Sequence, residues 1–363
     1  IISLDQLKQD DDVMDTWFSS WLWPLSVFGG IMEPENEEVK YYYPTNVLVT
    51  GHDIIFFWVA RMVMAGYQFS AEYMENRHPF KDVYMTGMVR DKQGRKMSKS
   101  LGNSPDLFKL LEKYGADGVR TGVLFSSAAG NDLLFDEKQC EQGRNFANKI
   151  WNASNLVEMF KENVEEKDCP NEPVFNWFEG KLSEAITAIN KSYDDYRISE
   201  ALMSSYRLVW DDFCSWYLEM VKPNYGETLD QKTLDKTISY FETLMKILHP
   251  MMPFLTEELW QNVVERKEGE SIMYAAWPNY DGNAAYLKKG DLVKELISGI
   301  RNVRNENEIK PKETVDLFVT GNIDNYKEFE SIFRKLGNIE VVSYSNDQPE
   351  QAKSFMVGTD EFF

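Results

Sequence analysis

The segment NVLVTGHDIIFFWVARMVMAG, residues 46–66, joins a short apolar run that ends in glycine to an apolar stretch of helical length. Residues 46–51 predict a buried strand, and Asp53 is a suitable N-cap for a helix over residues 53–66. That helix is apolar on almost every side, so we expect it to be buried. Residues 82–87, DVYMTG, predict a second strand that also ends in glycine. The first part of the chain therefore favours an α/β fold.

The second predicted strand leads into a short basic loop, GRKMSKSLGN, residues 94–103. Just before it, the sequence MVRDKQGRK predicts a small hairpin that turns at Gln93 and Gly94. After it, Ser104-Pro105 predicts the start of a helix, because proline is tolerated at the first helical position. Asp117 is then a suitable cap for the helix that follows.

This loop concentrates positive charge in an acidic chain. The 363 residues hold 39 lysines and arginines against 59 aspartates and glutamates, a net charge of −20, yet residues 81–100 hold six cations and two acids. The overall charge argues against nonspecific binding of nucleic acid but leaves room for a polyanion at one site. The loop is either a solvated surface turn or a clamp for phosphate, whose developing charge an ammonium group stabilises.

The glycine-terminated strands indicate where a ligand would bind. In open α/β sheets, ligands bind beyond the carboxyl ends of the strands, and Gly51, His52 and Asp53 lie at such an end. A glycine lets a ligand approach the backbone, and the carboxylate of Asp53 could accept hydrogen bonds from both hydroxyls of a ribose. Asp53 could equally serve only as a helix cap, and the two roles are compatible.

Three tryptophans crowd the segment DTWFSSWLWP, residues 15–24. We interpret Trp21 and Trp23 as core aromatics. A tryptophan on a loop near the strand ends can also form one wall of a small apolar pocket.

Long helical periods dominate residues 136–266 and predict a helical bundle. Apolar side chains recur at helical spacing along four segments. Each segment is represented here by two residues of its apolar face: Phe146 and Ile150, Leu182 and Ile186, Leu202 and Phe213, and Leu234 and Phe241. Prolines interrupt the last period, and Thr256 is expected to cap a new helix. Residues 283–363 predict a small α/β unit. The sequence thus predicts an α/β plus all-α chain with three domains, at residues 1–135, 136–282 and 283–363.

Composition excludes several classes of protein. Hydrophobic residues make up 43% and aromatic residues 14%, which is incompatible with a disordered chain, and no apolar run reaches the roughly 18 residues that a membrane helix needs. Cys140, Cys169 and Cys214 are far apart and odd in number, so we expect neither a disulfide framework nor a metal site. This cysteine usage favours a reduced, cytoplasmic compartment.

Six segments, taken in order, closely resemble the class I aminoacyl-tRNA synthetases, and within them the valine-specific branch. They are DDVMDTWFSSWLWP, VLVTGHDIIFFWVARM, MTGMVRDKQGRKMSKSLGN, KYGADGVR, GRNFANKIWNASN and HPMMPFLTEELW. The resemblance covers residues 1 to about 310. In the isoleucine enzymes, the corresponding motifs look like D-x-W-F-D-S-G and G-x-D-Q-x-R-G-W-F. This chain has different residues there, TWFSS at 16–20 and DIIFFW at 53–58. The leucine enzymes differ from this chain still more.

The resemblance implies a specific architecture. The chain would contain the C-terminal half of a class I Rossmann-type catalytic domain, an anticodon-binding helical bundle and a small α/β junction. The family's H-I-G-H signature, the first half of the nucleotide fold and the inserted editing domain are not found in this sequence. We therefore expect a C-terminal fragment that is inactive alone. Its first strand would be an unpaired edge, prone to self-association, and the apolar run 54–58 would lose part of its cover.

The resemblance also implies roles at an ATP site. Lys96 and Lys99 would be the catalytic residues, which bind the β- and γ-phosphates of ATP and stabilise the departing pyrophosphate. Gly51 and Asp53 would hold the ribose. The other ATP-binding candidates, beside the adenine or the phosphates, are Met88, Val89, Met97 and Ser98.

The remaining implied roles concern the amino acid and the RNA. Trp17, Ile54 and Trp58 would line the pocket for the valine side chain. The valine carboxylate would attack the α-phosphate of ATP, with Mg²⁺ assisting, and the aminoacyl group would then pass to tRNA(Val). Aromatic and cationic side chains of the bundle would stack on anticodon bases. Two alternatives stay open: a noncatalytic RNA-binding module and an isoleucine-specific synthetase.

Overall fold

The computed structural model describes residues 3, 6–70, 77–98, 100–126, 130–310, 312–344, 349 and 352–363. The predicted catalytic residue Lys99 therefore lies outside the described residues. The chain forms two compact units. The first comprises Ile1–Ser104 and Ser127–Phe135, and the second comprises Pro105–Ser126 and Asp136–Phe363. The division into three domains stays a prediction.

The first unit contains two small parallel sheets and short helices. Its strands are β1 (Thr45–Gly51), β2 (Phe80–Thr86), β3 (Val89–Arg90) and β4 (Leu133–Leu134), and its helices are α1 (Thr16–Ser20), α2 (Trp23–Ser26), α3 (Glu37–Tyr42) and α4 (Ala60–Phe69). β1 pairs with β2 in parallel, with Gly51 opposite Thr86, and β3 pairs with β4 in parallel. Both strands predicted from glycine-terminated runs are confirmed.

The segment that follows β1 differs from the predicted helix. A 3₁₀ turn, His52–Ile54, leads into a π-helical segment, Ile55–Val59, and then into α4. Asp53 lies inside the turn, well before α4 begins, so its predicted role as a helix N-cap is wrong. The physical reason is that its carboxylate turns towards Lys96 and binds that side chain instead.

The apolar segment after β1 is buried on one side only. Val59 and Met62 pack with Leu48 of β1 and Phe80 of β2 in a small core, whereas Phe56 is 82% exposed. A sheet of two strands covers one face of a helix, and β1 has no second neighbour among the described strands. Burial on all sides is therefore wrong for this chain, while the partial exposure expected beside an unpaired first strand is confirmed.

The second unit is a helical bundle with two small sheets. Its helices are α5 (Leu107–Tyr114), α6 (Ala116–Ser126), α7 (Glu137–Lys161), α8 (Glu172–Asp194), α9 (Ile198–Arg207), α10 (Leu218–Val221), α11 (Gln231–Leu248), α12 (Pro253–Val263), α13 (Ala284–Glu306) and α14 (Glu330–Gly337). A π-helical segment, Leu208–Tyr217, joins α9 to α10. Among the described residues, no helix is both long and apolar enough to cross a membrane.

The strands of the second unit form two sheets. They are β5 (Val164–Glu165), β6 (Leu229–Asp230), β7 (Val315–Val319), β8 (Ile339–Tyr344), β9 (Phe355–Val357) and β10 (Asp360–Phe362). β5 pairs with β6 in parallel. The other four follow the order β8-β7-β10-β9, in which only β7 and β8 are parallel. Along the chain, α13, β7, α14 and β8 alternate between helix and strand before β9 and β10, which agrees with the α/β character predicted for the end of the chain.

One apolar core extends through the bundle and the last eighty residues. The predicted helical faces are buried, for example at Phe146, Leu182 and Phe241, and the same cluster includes Leu296 of α13 and Phe362 of β10. Burial of each such side chain stabilises the fold by about 1.5–3 kcal/mol relative to exposure. Residues 283–363 therefore pack on the bundle, which the sequence alone left undecided.

Helix starts in the second unit are set by side chains other than those predicted. Asp106, not Ser104-Pro105, caps α5. Asp117 lies within the first turn of α6, and its carboxylate accepts hydrogen bonds from the backbone N–H groups of Leu255 (2.6 Å) and Phe254 (3.5 Å) at the start of α12. Thr256 lies inside α12 and donates to a backbone carbonyl there. The helix start predicted at Ser104-Pro105 and the caps predicted at Asp117 and Thr256 are therefore wrong. α12 begins at Pro253, and the side chain that accepts from its first N–H groups is Asp117 of α6.

Candidate functional site

The carboxyl ends of β1 and β2 bring together residues that the sequence placed at an ATP site. Parallel pairing sets Gly51 beside Thr86, so the turns that follow both strands lie at one edge. A Cβ atom at Gly51 would lie 2.7 Å from Oδ1 of Asp53 and 3.6 Å from Sδ of Met88. Three of the predicted nucleotide-binding residues therefore converge, and a side chain at Gly51 would fill the space between the other two.

The backbone at Met88 is held from a distant part of the sequence. Gly87 must be glycine, since a Cβ there would lie 1.5 Å from the carbonyl oxygen of Asn131. Next to it, Asp132 accepts a hydrogen bond from the Met88 N–H (3.0 Å) and forms an ion pair with Arg90. The hydrogen bond from Arg90 holds the pKa of Asp132 below its ordinary value. The strand end is thereby fixed against the β3–β4 pair.

Lys96 of the basic loop reaches the same edge. Its ammonium Nζ lies 3.1 Å from Oδ2 of Asp53. The hydrogen bond from Lys96 is the main reason that the pKa of Asp53 is lowered. The side chains are 57% and 41% exposed, so solvent and ligands can reach the pair. The structure thus joins two predicted site residues that stand 43 positions apart in the sequence.

Asp91 closes the base of this loop. Its side chain is almost buried, and it accepts hydrogen bonds from the N–H groups of Gln93 (3.0 Å) and Arg95 (2.9 Å). It also binds the Arg95 guanidinium at 2.7 Å and the side-chain amide of Asn103 at 2.9 Å. These bonds, that from Asn103 foremost, hold the pKa of Asp91 far below its ordinary value. The predicted hairpin at Gln93-Gly94 is confirmed.

Asn103 organises the other side of the loop. Besides donating to Asp91, its amide donates to the backbone carbonyl of Lys96 (3.3 Å) and accepts from the N–H of Ser98 (3.0 Å). The Ser98 amide is therefore engaged within the loop. Sequence reasoning assigned no role to Asp91 or Asn103. The sequence signal that could have found them is their position, since Asp91 and Asn103 flank the basic residues on either side and can each hydrogen-bond to the loop between them.

Met97 and Val89, both predicted beside the adenine, meet through their backbones. The Met97 N–H donates to the Val89 carbonyl oxygen at 3.2 Å. The loop therefore folds back along β3, which places Met97 next to the strand end that carries Met88.

The predicted amino-acid pocket residues lie on two neighbouring segments. Trp17 of α1 stacks on Phe57 with ring centres 5.7 Å apart, and the indole N–H of Trp58 donates to the Ser20 carbonyl oxygen at 3.1 Å. Ile54, at the end of the 3₁₀ turn, is half-buried. The tryptophan segment therefore packs along the π-helical segment, but the direct neighbour of Trp17 is Phe57, which sequence reasoning did not single out.

The two tryptophans interpreted as core differ from each other. Trp21 packs against the small core of the first unit, as predicted. Trp23 is 52% exposed and stacks on Trp58 at 6.1 Å. Its placement in the core is wrong, because α2 begins at this residue and turns the ring outwards from Pro24 and Leu25, which are buried.

The side chains at the sheet edge have the chemistry that a phosphate-bearing ligand needs. Among the described residues, no group of three histidine, cysteine or carboxylate side chains could hold a metal ion. What converges is one ammonium group, one carboxylate, a glycine and a thioether at a sheet edge. This set suits an anionic nucleotide, because the ammonium can pair with phosphate and the carboxylate with ribose hydroxyls.

Two models of known protein families match this chain, one in its first part and one in the helical part. The model of the class I tRNA synthetases for I, L, M and V matches residues 2–136, and that of the anticodon-binding domain of tRNA ligases matches residues 176–319. Two solved structures resemble the fold: a LeuRS–tRNA–LeuAMS complex of Agrobacterium radiobacter K84 (TM-score 0.60, 20% identity, 77% of this chain and 34% of that chain) and methionyl-tRNA synthetase of Mycobacterium tuberculosis with methionyl-adenylate (0.50, 19%, 67% and 48%).

Sequence relatives are more specific. Valine–tRNA ligases of Christiangramia forsetii and Phocaeicola vulgatus are each 50% identical to this chain, over 100% and 99% of its length. The valine–tRNA ligase of Thermotoga maritima is 40% identical over 97%. The chain spans about two fifths of the length of these relatives, 41%, 41% and 40% respectively. The chain belongs to the class I aminoacyl-tRNA synthetases, and within them to the valine–tRNA ligase family.

Proposed function

We propose that this chain supplies the phosphate-binding loop and the anticodon-binding helices of an enzyme that activates valine with ATP and transfers it to tRNA(Val). The observation that carries the proposal is the position of Lys96, whose ammonium lies 3.1 Å from Asp53 at the carboxyl ends of β1 and β2. Its support from relatives is the 50% identity to valine–tRNA ligases along the whole chain.

The activation step assigns roles to the loop and the strand ends. A carboxylate oxygen of valine attacks the α-phosphorus of ATP, and the bond from that phosphorus to the pyrophosphate oxygen breaks. Lys96 and Lys99 stabilise the negative charge that builds on the pyrophosphate as it leaves. Mg²⁺ would enter bound to the phosphates of ATP, as part of the substrate.

The nucleoside would lie along the sheet edge. Asp53 accepts hydrogen bonds from the ribose hydroxyls, and Gly51 leaves room for the sugar to approach the backbone. The adenine lies against Met88 and Val89, with Met97 beside them. The hydroxyl of Ser98, which accepts from the Leu101 N–H at 3.3 Å and lies 3.1 Å from Oγ of Ser100, would donate a hydrogen bond to a phosphate oxygen.

The amino-acid side chain would lie between Trp17, Ile54 and Trp58. Such a pocket rejects larger side chains by size, yet it separates substrates that differ by one methylene by only about 1–3 kcal/mol. We further place the enzyme in the cytoplasm, where its three free cysteines would stay reduced.

The direct test is amino-acid-dependent exchange of pyrophosphate into ATP by the protein at the full length of its relatives. We expect exchange with valine and far weaker exchange with isoleucine. Strong exchange with isoleucine and little with valine would assign the other specificity. If neither amino acid supports exchange while the protein still binds tRNA, the noncatalytic alternative is correct.

A further inference from the structure

The end of α13 and the turn that follows α14 line a cavity of about 270 Å³ in the second unit. Its polar side chains are Arg301, Arg304 and Asn305 from α13, and Asn338 from the turn after α14. No described residue that lines the cavity is acidic, although the chain as a whole has a net charge of −20. None of these residues has a role in the activation chemistry proposed above.

Arg304 is a buried cation whose position is fixed. Only 7% of its surface is exposed. Its guanidinium donates to the backbone carbonyls of Lys310 (2.6 Å), Glu313 (2.6 Å) and Gly337 (3.4 Å). These bonds join the end of α13 to the segment before β7 and to the end of α14, which is a structural role. They also hold the guanidinium in one orientation, so a ligand would meet a preorganised donor.

The charge of Arg304 is not neutralised within the described part of the chain. Carbonyl oxygens accept hydrogen bonds but carry no net charge, and Arg304 forms no ion pair with a described residue. A guanidinium has five N–H groups, so at least two of them have no acceptor among these residues. A buried charge without a partner of opposite sign is costly. An anion that enters the cavity would supply that partner.

Arg301 adds a second guanidinium one turn earlier on α13. Residues three apart lie on the same face of a helix, and both arginines line the cavity. The guanidinium carbon of Arg301 lies 5.8 Å from the centre of the Trp216 ring, and Arg301 forms no ion pair with a described residue. The side-chain amide of Asn305, one turn further along, makes no hydrogen bond to a described residue either. The cavity thus presents two positive charges and an amide donor.

The charge of the cavity distinguishes between possible anions. Two guanidinium groups match inorganic phosphate or the terminal phosphate of a small molecule, whose charge is about −1.5 to −2 at neutral pH. A phosphodiester of an RNA backbone carries one negative charge, and so does a carboxylate. Guanidinium groups suit phosphate in particular, because their planar set of donors matches its oxygens. A dianionic phosphate therefore neutralises this cavity best.

We propose that this cavity binds a dianionic phosphate, either free phosphate or the terminal phosphate of a small monoester. The phosphate oxygens accept hydrogen bonds from Arg304, from the Arg301 guanidinium and from the Asn305 amide. The bound anion ties the last turn of α13 to the end of α14, because Arg304 also holds the carbonyl of Gly337. The inference does not depend on valine activation or on tRNA binding, so its failure would leave the proposed function intact.

Calorimetric titration with inorganic phosphate at constant ionic strength tests the site. We expect the 363-residue chain to bind phosphate saturably at one site, and Arg301→Gln to weaken that binding by about tenfold or more, because hydrogen bonds to a charged group are lost. Lys288→Gln is the matched control, because it removes one positive charge from an exposed position of the same helix outside the cavity. Its effect on the affinity should be less than twofold. Equal losses for both variants would overturn the site in favour of general attraction to α13.

Chemical modification locates the site in the wild-type chain, without any substitution. Phenylglyoxal modifies arginine, and phosphate should slow the modification of Arg301, as followed by mass spectrometry of the peptides. Modification of Arg197, whose side chain is 60% exposed and lies outside the cavity, should stay unchanged. Absence of saturable phosphate binding, or phosphate binding that neither protects Arg301 nor responds to Arg301→Gln, would overturn the proposal.

Two further probes separate a terminal phosphate from an RNA backbone. Dimethyl phosphate carries one negative charge, and we expect it to bind at least about tenfold more weakly than inorganic phosphate. Equal affinity for the two would overturn the assignment to a dianion. Protection of Arg301 by tRNA but not by inorganic phosphate would assign the cavity to a phosphodiester and would overturn the proposal as well.

Discussion

Lys96 and Asp53 bind each other at 3.1 Å, so a group assigned to phosphate and a group assigned to ribose neutralise one another when no nucleotide is present. Both side chains are accessible, and exposed pairs of this kind contribute little to stability. In the proposed function, the phosphates of ATP would take the ammonium and its ribose hydroxyls would take the carboxylate. The ion pair holds both side chains at the sheet edge, where that exchange would occur.

The first prediction concerns the lysines of the loop. In the full-length protein, Lys96→Ala should lower the rate of valine activation more than tenfold, which corresponds to about 1.4 kcal/mol or more of transition-state stabilisation. The KM for valine should change little, since the charge develops on pyrophosphate. Lys99→Ala should behave in the same way. Lys81→Ala, an exposed lysine on β2, is the control. Loss of valine binding with an unchanged rate would contradict these assignments.

The second prediction concerns Asp91, which positions the loop. Asp91→Asn keeps the size of the side chain but removes the charge that binds Arg95 and Asn103. We expect the loop to open and trypsin to cleave after Arg95 and Lys96 several times faster than in the wild-type chain. Asp12→Asn, an exposed aspartate of the same unit, should leave that rate unchanged. Equal cleavage rates in all three proteins would show that Asp91 does not hold the loop.

The same carboxylate predicts a pH dependence. Since the folded pKa of Asp91 is depressed, chiefly by the hydrogen bond from Asn103, its contribution is present above the ordinary pKa of an aspartate and is lost as pH falls through the depressed value. Protection of the Gln93 and Arg95 amides from hydrogen exchange, corrected for intrinsic rates, should persist below the ordinary aspartate pKa. Loss of protection at that ordinary value would contradict the network.

The third prediction concerns the cap that α6 provides for α12. Asp117→Ala leaves two N–H groups, of Phe254 and Leu255, without their side-chain acceptor. Loss of a cap costs about 1 kcal/mol, and an unpaired buried donor costs about 1–3 kcal/mol. We expect the free energy of unfolding of the helical unit, measured in urea by far-UV circular dichroism, to fall by about 1–3 kcal/mol. Asp117→Asn retains an acceptor oxygen and should lose less. Equal losses would exclude a capping role.

Burial adds a pH signature to Asp117. Desolvation raises the folded pKa of Asp117 above its unfolded value, although the hydrogen bonds from the backbone N–H groups of Leu255 and Phe254 act to lower it. Its contribution to stability is therefore fully present below the unfolded pKa and declines as pH rises through the folded one. Asp117→Asn should remove that decline when the free energy of unfolding is measured at increasing pH, starting from the ordinary aspartate pKa.

The fourth prediction concerns the unpaired edge of β1. Val49 on this strand is 56% exposed, and an open strand edge invites pairing with another chain. We expect the 363-residue chain to self-associate at micromolar concentration, as measured by analytical ultracentrifugation. The variant Val49→Lys should reduce this self-association, because it adds a charge to the strand. Val341→Lys is the matched control, because it changes an exposed valine on β8 of the other unit. An equal effect of Val341→Lys would place the contact there.

The fifth prediction is that the 363-residue chain alone supports no valine-dependent pyrophosphate exchange. Part of a preorganised site forfeits most of its transition-state binding, and the apolar segment after β1 is open on one side. Robust exchange by the purified chain, free of host enzyme, would contradict the placement of the site.

Local patterns in the sequence predicted what local physics decides. The strands before Gly51 and Gly87, the hairpin at Gly94 and the buried helical faces all follow from residues that are close in sequence. The misses share another cause. Asp117 caps a helix that begins 136 residues later in the chain, and Asp91 is defined by its bond to Asn103. Whether a side chain caps a helix or holds a loop depends on which residue the tertiary fold places next to it. The periodicity of apolar residues along the sequence does not specify that neighbour.

The pairing of β3 with β4 limits how the chain can be divided. Residues 105–126 leave the first unit and residues 127–135 return to it, carrying Asp132 to the backbone of Met88. A truncation at residue 104 would delete the partner strand together with that carboxylate, although no residue assigned to ATP would be lost. The sheet edge that carries Gly51 and Met88 therefore does not form an independent segment that ends at residue 104. Grafting it into another protein would also require the roughly thirty residues that follow the basic loop, because they supply β4 and Asp132.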